Sequence, residues 1–239
     1  SLTTAQAAAL SAGQAVGLSS VQLGAMETRD LQQLSATAVG QLNVGSLVGL
    51  SSEQVKALTS VQVGALTAQQ AVGLTGDETV SLSSTQARAL SVDALAKLGT
   101  DAINAMNTTA LSALTATQVG SLTSTQLGAL NTAQAVALTT AQAAALSAGQ
   151  AVGLGTDAVK AMQTDDLQRL SATALAGLTT DAVQVLSDTQ LAGLTSTQVG
   201  GLSDTQAAAL TTSQLKNLGS AQAQGLKGTQ LKALDTAQL

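Results

Sequence analysis

The chain contains no aromatic residue, no proline, no cysteine and no histidine. Each absence removes a class of explanation. Without Phe, Tyr or Trp, any core is aliphatic, whereas aromatic side chains dominate the core energetics of ordinary domains. Without cysteine there are no disulfide staples and no thiolate metal sites. Without histidine the usual general base and the commonest metal ligand are missing. Charge is scarce as well: 10% of the 239 residues are charged and the net charge is −5, so no basic face is available for nucleic acid. Ser, Thr or Gln interrupts every apolar run long before it reaches the length of a membrane span, and no signal-peptide pattern opens the chain. These absences predict no catalytic, cofactor-binding or metal site, no cofactor, no nucleic-acid partner and no membrane span.

What is present is a repeat. After Ser1-Leu2 the sequence runs through twenty-nine unbroken octads, from Thr3 to Leu234, and a partial octad, Asp235-Thr-Ala-Gln-Leu239, closes it. Numbered from Thr3, the octad reads roughly (Ser/Thr)-x-x-Gln-(Ala/Val/Leu)-x-(Ala/Gly)-Leu, as in Thr123-Ser-Thr-Gln-Leu-Gly-Ala-Leu130. Position eight is Leu in twenty-six octads and Met in the other three (Met26, Met106, Met162); position five is Ala, Val, Leu or Ile everywhere except Thr79. Two apolar positions three apart share a helix face, whereas a strand would send them to opposite sides. A single long helix fails, because eight residues advance about 800° and successive leucines would drift about 80° around the axis. The helix therefore stops and restarts in every octad.

The caps agree. Position one is Ser, Thr, Asn or Gly in twenty-six octads, the preferred N-cap set, and position four is Gln in eighteen. Ser/Thr-x-x-Gln is the capping box, in which the hydroxyl accepts from the N3 amide and the Gln reaches back to the cap. Charge placement is an independent test: all fourteen acids lie at positions one to four, and seven of nine bases (Lys56, Arg88, Lys97, Lys160, Arg169, Lys216, Lys232) at six or seven, with Arg29 and Lys227 the exceptions. That segregation suits the partial charges of a helix over positions two to eight. Such a short helix cannot stand alone, because nucleation is too costly. Position seven is Ala or Gly in twenty-one octads, which permits close helix approach, and Gly there would also tolerate a positive φ in a sharp turn.

The expected fold is all-α: a solenoid of short helices, one per eight-residue repeat, running as one continuous array over residues 1–239. Two octads per coil is the simplest build; with helices about 8–10 Å apart it would extend to about 120–150 Å. Three or more octads per coil are compatible with the same pattern. The segment Thr3–Leu18 recurs identically at Thr139–Leu154, and octads lacking Gln at position four cluster from the fourth, twelfth and twentieth octads; both read as duplication history. The first and last octads are as apolar as the rest, whereas solenoids usually close with polar caps. The chain then reads as an excerpt of a longer array or as a subunit stacking end to end, a contact that propagates unless it closes.

Runs such as Leu122-Thr-Ser-Thr-Gln-Leu-Gly-Ala-Leu-Asn-Thr-Ala-Gln-Ala-Val-Ala-Leu-Thr-Thr-Ala-Gln142 resemble the Leu-(Ser/Thr)-Thr-x-Gln octapeptide-repeat arrays of large bacterial surface and adhesin-like proteins. The resemblance implies a structural role at the cell surface or outside the cell, and it carries over no catalytic residue.

Five features invite a more specific function. Asp165-Asp166 and Asp77-Glu78 are paired carboxylates, but they sit at positions three and four, where acids favour helix N-termini. The position-three acids Glu53, Asp77, Asp93, Asp101, Asp157, Asp165 and Asp181 would form a cation ladder if their octads stacked, but their place in the first turn of each helix already accounts for them. The glutamines would form amide ladders between coils, although the capping box already accounts for them. Ser and Thr at positions one to three offer a repetitive hydroxyl face for ice or glycan. Asn107-Thr-Thr109 matches the glycosylation sequon, as chance allows in a Thr-rich chain. The expected function is structural: an extracellular rod, stalk or filament, with an ice- or glycan-binding module as the alternative and an enzyme the least supported class.

Overall fold

A computed structural model describes residues 2–239. Among them are twenty-nine short helices and no strand, one helix to each octad. The octad sets each boundary. Position one is extended at the N-cap, as at Ser83 (φ −74°, ψ 163°), and the helix follows from position two. It ends between positions five and seven, earlier than the expected span of two to eight. Position eight leaves the helix: Leu90 has φ −55° and ψ 134°. Its N–H still donates to the position-five carbonyl, Leu90 N to Ala87 O at 3.2 Å, which tightens the last turn and satisfies a carbonyl that a four- to six-residue helix leaves open. Positions eight and one together form the extended link to the next helix.

The helices differ in length but not in burial pattern. From Leu31 to Leu210 every residue at positions five and eight is buried. Over the same span position four is buried as well, except at the part-exposed Glu78: by Gln in most octads and by Ala38, Ala94, Ala102, Ala110, Ala158, Ala174 and Ala182 in others. The interior therefore takes three positions of eight, one more than the apolar pattern alone indicates. Thr79, the exception at position five, is fully buried and directs its hydroxyl toward carbonyl oxygens of Thr75 at 3.0 Å and Ala102 at 2.8 Å.

The chain falls into two compact units, residues 1–121 and 122–239. Both are wound in the same way. In the first, helix Ser84–Ala89 packs on Ser60–Gly64 and on Thr108–Ala113; in the second, Ser196–Gly201 packs on Ala172–Ala176 and on Ser220–Gly225. Each partner lies three octads away. Hydrogen bonds from position four reach four octads back: Gln86 Nε2 donates to the carbonyls of Val55, Lys56 and Leu58, 31, 30 and 28 residues earlier. One turn of the coil thus takes between three and four octads. Of the two builds the sequence leaves open, this is the one with three or more octads per coil. The turn surrounds a central core made of positions four, five and eight.

Small residues set the spacing between turns. A Cβ at Gly24, position six, would stand 2.7 Å from the carbonyl oxygen of Gly49, position seven of the octad three further on. Gly128 meets Gly153 in the same way, at 2.8 Å. A Cβ at Gly153 would in turn collide with the carbonyl of Ser124. No glycine among the described residues has a positive φ. The expected conformational role for position-seven glycine is therefore corrected: its lack of a side chain, not its backbone freedom, is what the coil uses.

Candidate functional site

The side chain that recurs with the most chemistry is the position-four glutamine. Its two ends do different work. Oε1 accepts from its own cap, as in Gln198 Oε1 from Thr195 N at 2.9 Å, while the Thr195 hydroxyl accepts from Gln198 N at 3.2 Å. Sixteen of the eighteen Gln octads carry this full box. In the other two, capped by Gly219 and Lys227, Gln222 and Gln230 keep the bond to the cap N–H, at 2.9 and 2.6 Å. Nε2 points the other way, into the preceding turn. Gln198 Nε2 donates to Leu167, Gln168 and Leu170 at 2.9, 3.2 and 2.7 Å. One amide therefore closes one helix's start and the end of another helix four octads earlier, and it can be buried because both ends are satisfied. The capping box holds as expected, and where Nε2 crosses between turns it meets backbone carbonyls rather than another glutamine amide.

Octads without that glutamine show how general the slot is. Ser46, at position four, donates to Leu18 O at 2.5 Å, the position-eight carbonyl 28 residues earlier, and Asn43, at position one, donates to Val16 O at 2.7 Å. Asn107 reaches Val80 O and Leu82 O at 3.0 and 2.8 Å. Gln163 reaches Val136 O at 3.1 Å. Three of the four amides at position one thus stand in octads where position four is not Gln. That exchange between positions is visible in the sequence and signals an inter-coil bond; reading position one only as a cap misses it.

The carboxylates do not assemble. Among the described residues no three acids come together as a metal-holding group. The position-three acids Glu53, Asp77, Asp93, Asp101, Asp157, Asp165 and Asp181 are exposed in the first turns of their helices. Glu78 is a cap partner, its Oε2 accepting from Thr75 N at 2.7 Å. Asp165 is exposed and Asp166, beside it, is 2% exposed. Oδ2 of Asp166 has no hydrogen-bond partner. Burial first, and then the charge of Asp165, push the Asp166 carboxyl above its ordinary pKa. Asp30, also at position four and buried, accepts from Thr4 Oγ1 at 3.0 Å. The position-one hydroxyls are engaged inside the octad: Ser11, Ser19, Ser83 and Ser147 also donate to their own Gln Oε1 at 2.9–3.0 Å. This leaves only positions two and three for a hydroxyl face. No helix among the described residues is long and apolar enough to cross a membrane.

A fold built from one helix per octad, with an amide joining successive turns, defines an all-α repeat protein. The family model of the ALTTAQ repeat matches residues 23–60 and 159–196. In those stretches the chain is similar to that repeat. The second match begins 136 residues after the first, at 159 against 23, which is the seventeen-octad offset of the Thr3–Leu18 and Thr139–Leu154 duplicates. A search of curated proteins found no match to the chain.

Proposed function

We propose that this chain is structural material, a stretch of stalk or filament outside a bacterial cell, and that it performs no catalysis. The observation that carries the reading is the coil-to-coil glutamine. The most abundant reactive side chains, the position-four amides and the position-one hydroxyls, are bonded to the repeat itself, as in the Thr195–Gln198–Leu170 series. A repeat that directs its polar groups to its neighbours makes length and surface. The resemblance to bacterial surface arrays supports the location. Antibodies raised against this chain should decorate the outside of intact cells that produce it. Label found only in the cytoplasm of opened cells would overturn the location.

A further inference from the structure

Position four donates the bond between turns, yet three octads place an acid there: Asp30, Glu78 and Asp166. Two of these acids have a partner. Asp30 accepts from Thr4 Oγ1 at 3.0 Å, and Glu78 Oε2 accepts from Thr75 N at 2.7 Å. Asp166 differs: it is buried, and its Oδ2 has no hydrogen-bond partner. Thr140 stands 26 residues before it, as Thr4 stands before Asp30, but the Thr140 hydroxyl gives no bond to that oxygen.

The winding of the 122–239 unit says what Asp166 faces. Gln190, Gln198, Gln206 and Gln214 donate to Met162, Leu170, Leu178 and Leu186, each 28 residues earlier, at 2.8, 2.7, 2.7 and 2.7 Å. The same step from Asp166 ends on Leu138. The two segments touch: helix Thr164–Arg169 packs on Thr140–Ala144, which follows Leu138, and Gln163 Nε2 donates to Val136 O at 3.1 Å. Leu138 is buried, and its carbonyl receives no donor among the described residues. A side chain shorter than glutamine can span the slot, since Ser46 reaches Leu18 O, 28 residues earlier, at 2.5 Å. Here, then, an acceptor is set toward an acceptor, and only a proton on the carboxyl turns one of them into a donor.

We infer that Asp166 is a proton-operated joint between turns: protonated, its carboxyl donates to the Leu138 carbonyl and closes the turn as glutamine does in other octads; ionised, it leaves that joint open. The surrounding charges do not offset the ionised form. On its own helix, Asp165 and Arg169 are both exposed. Helix Thr140–Ala144 carries no charged residue. On the other side, helix Asp188–Gly193 brings only Asp188, which is exposed and accepts from Ser213 Oγ at 3.1 Å and Asn217 Nδ2 at 2.7 Å. Burial, and then the charge of Asp165, hold the carboxyl above its ordinary value. The joint is therefore closed below the ordinary carboxyl value and opens as pH rises through the raised one.

Amide hydrogen exchange of helices Thr164–Arg169 and Thr140–Ala144 tests the joint, in the 239-residue chain, Asp166→Gln and Asp166→Ala. Glutamine supplies a permanent donor. Alanine, which the slot takes at Ala158 and Ala174, supplies neither charge nor donor. Rates are compared with Asp166→Gln at the same pH, which cancels the pH dependence of exchange itself. At about pH 8 the parent should exchange about tenfold faster than Asp166→Gln in these helices. At about pH 3.5, below the ordinary carboxyl value, it should match Asp166→Gln and exchange more slowly than Asp166→Ala. A parent-to-Gln ratio that does not change with pH would overturn the joint. So would a parent that matches Asp166→Ala in acid, since the carboxyl would then be neutral but unbonded. An equal change in helix Ser84–Ala89 of the other unit would also overturn it, because the proton would then act on the whole chain and not on this contact.

Discussion

At the scale of the residue, glutamine carries the fold because it is long enough to do two jobs at once. Oε1 returns to the cap three residues back, and Nε2 crosses to another turn. Gln86→Ala should lower stability by about 1–3 kcal/mol, because it strands the carbonyls of Lys56 and Leu58; a shift of the urea midpoint measures it. Asp166 is the converse case, a buried carboxylate in the slot of a donor, with one oxygen unpartnered. Its folded pKa lies above its ordinary value, mainly through burial and further through Asp165. The folded chain therefore holds this proton more tightly than the unfolded chain does. Stability at this site is greatest below the ordinary carboxyl value and falls as pH rises through the raised one. Asp166→Asn should melt higher than the parent at pH 7, and the difference should vanish in acid. Equal melting temperatures at pH 7 would show that the carboxylate is satisfied in solution. The cap half of the glutamine's role is legible from Ser/Thr-x-x-Gln because its partner is three residues away. The other half is not, because its partner is 28 residues away and looks like every other position-eight leucine.

At the scale of the element, helices of four to six residues persist only because their neighbours hold them. The local signals were sufficient to place them. Cap, first-turn acids and last-turn bases such as Glu53 and Lys56 in helix Ser52–Ala57 mark each start and end by chemistry that acts within one turn. The exit of position eight from the helix was not legible, since a leucine three residues after an apolar residue fits a helix face equally well. Contact between elements is set by what position seven lacks. Gly153→Ala brings a Cβ against the Ser124 backbone and should cost about 1–3 kcal/mol. Gly13→Ala meets nothing within 4 Å and lies inside helix Ala12–Ala15. It should be neutral or stabilising by about 0.5–1 kcal/mol, the helical advantage of alanine. Thermal denaturation of the two variants in parallel checks the pair. Equal effects would mean that glycine's role is conformational after all.

At the scale of the whole molecule, uniformity is what hides the winding. Any octad fits next to any other, so nothing in a single repeat says whether two, three or four make a turn. Only the departures carry that information: amides at Asn43, Asn107 and Gln163 appear where position four has lost its Gln, and each bonds 27 residues back. Within each unit a turn takes between three and four octads, joined through position four. The absence of cysteine from the chain makes the most direct measurement a disulfide one. Ser213 Oγ donates to Asp188 Oδ2 at 3.1 Å across 25 residues. S213C/D188C, gently oxidised, should close quantitatively to a monomeric loop detected by its faster migration without reductant. D188C/D204C, whose positions are equivalent and two octads apart, should stay reduced under the same conditions. Rapid closure of the second pair and failure of the first would contradict the winding described here and restore a coil of two octads.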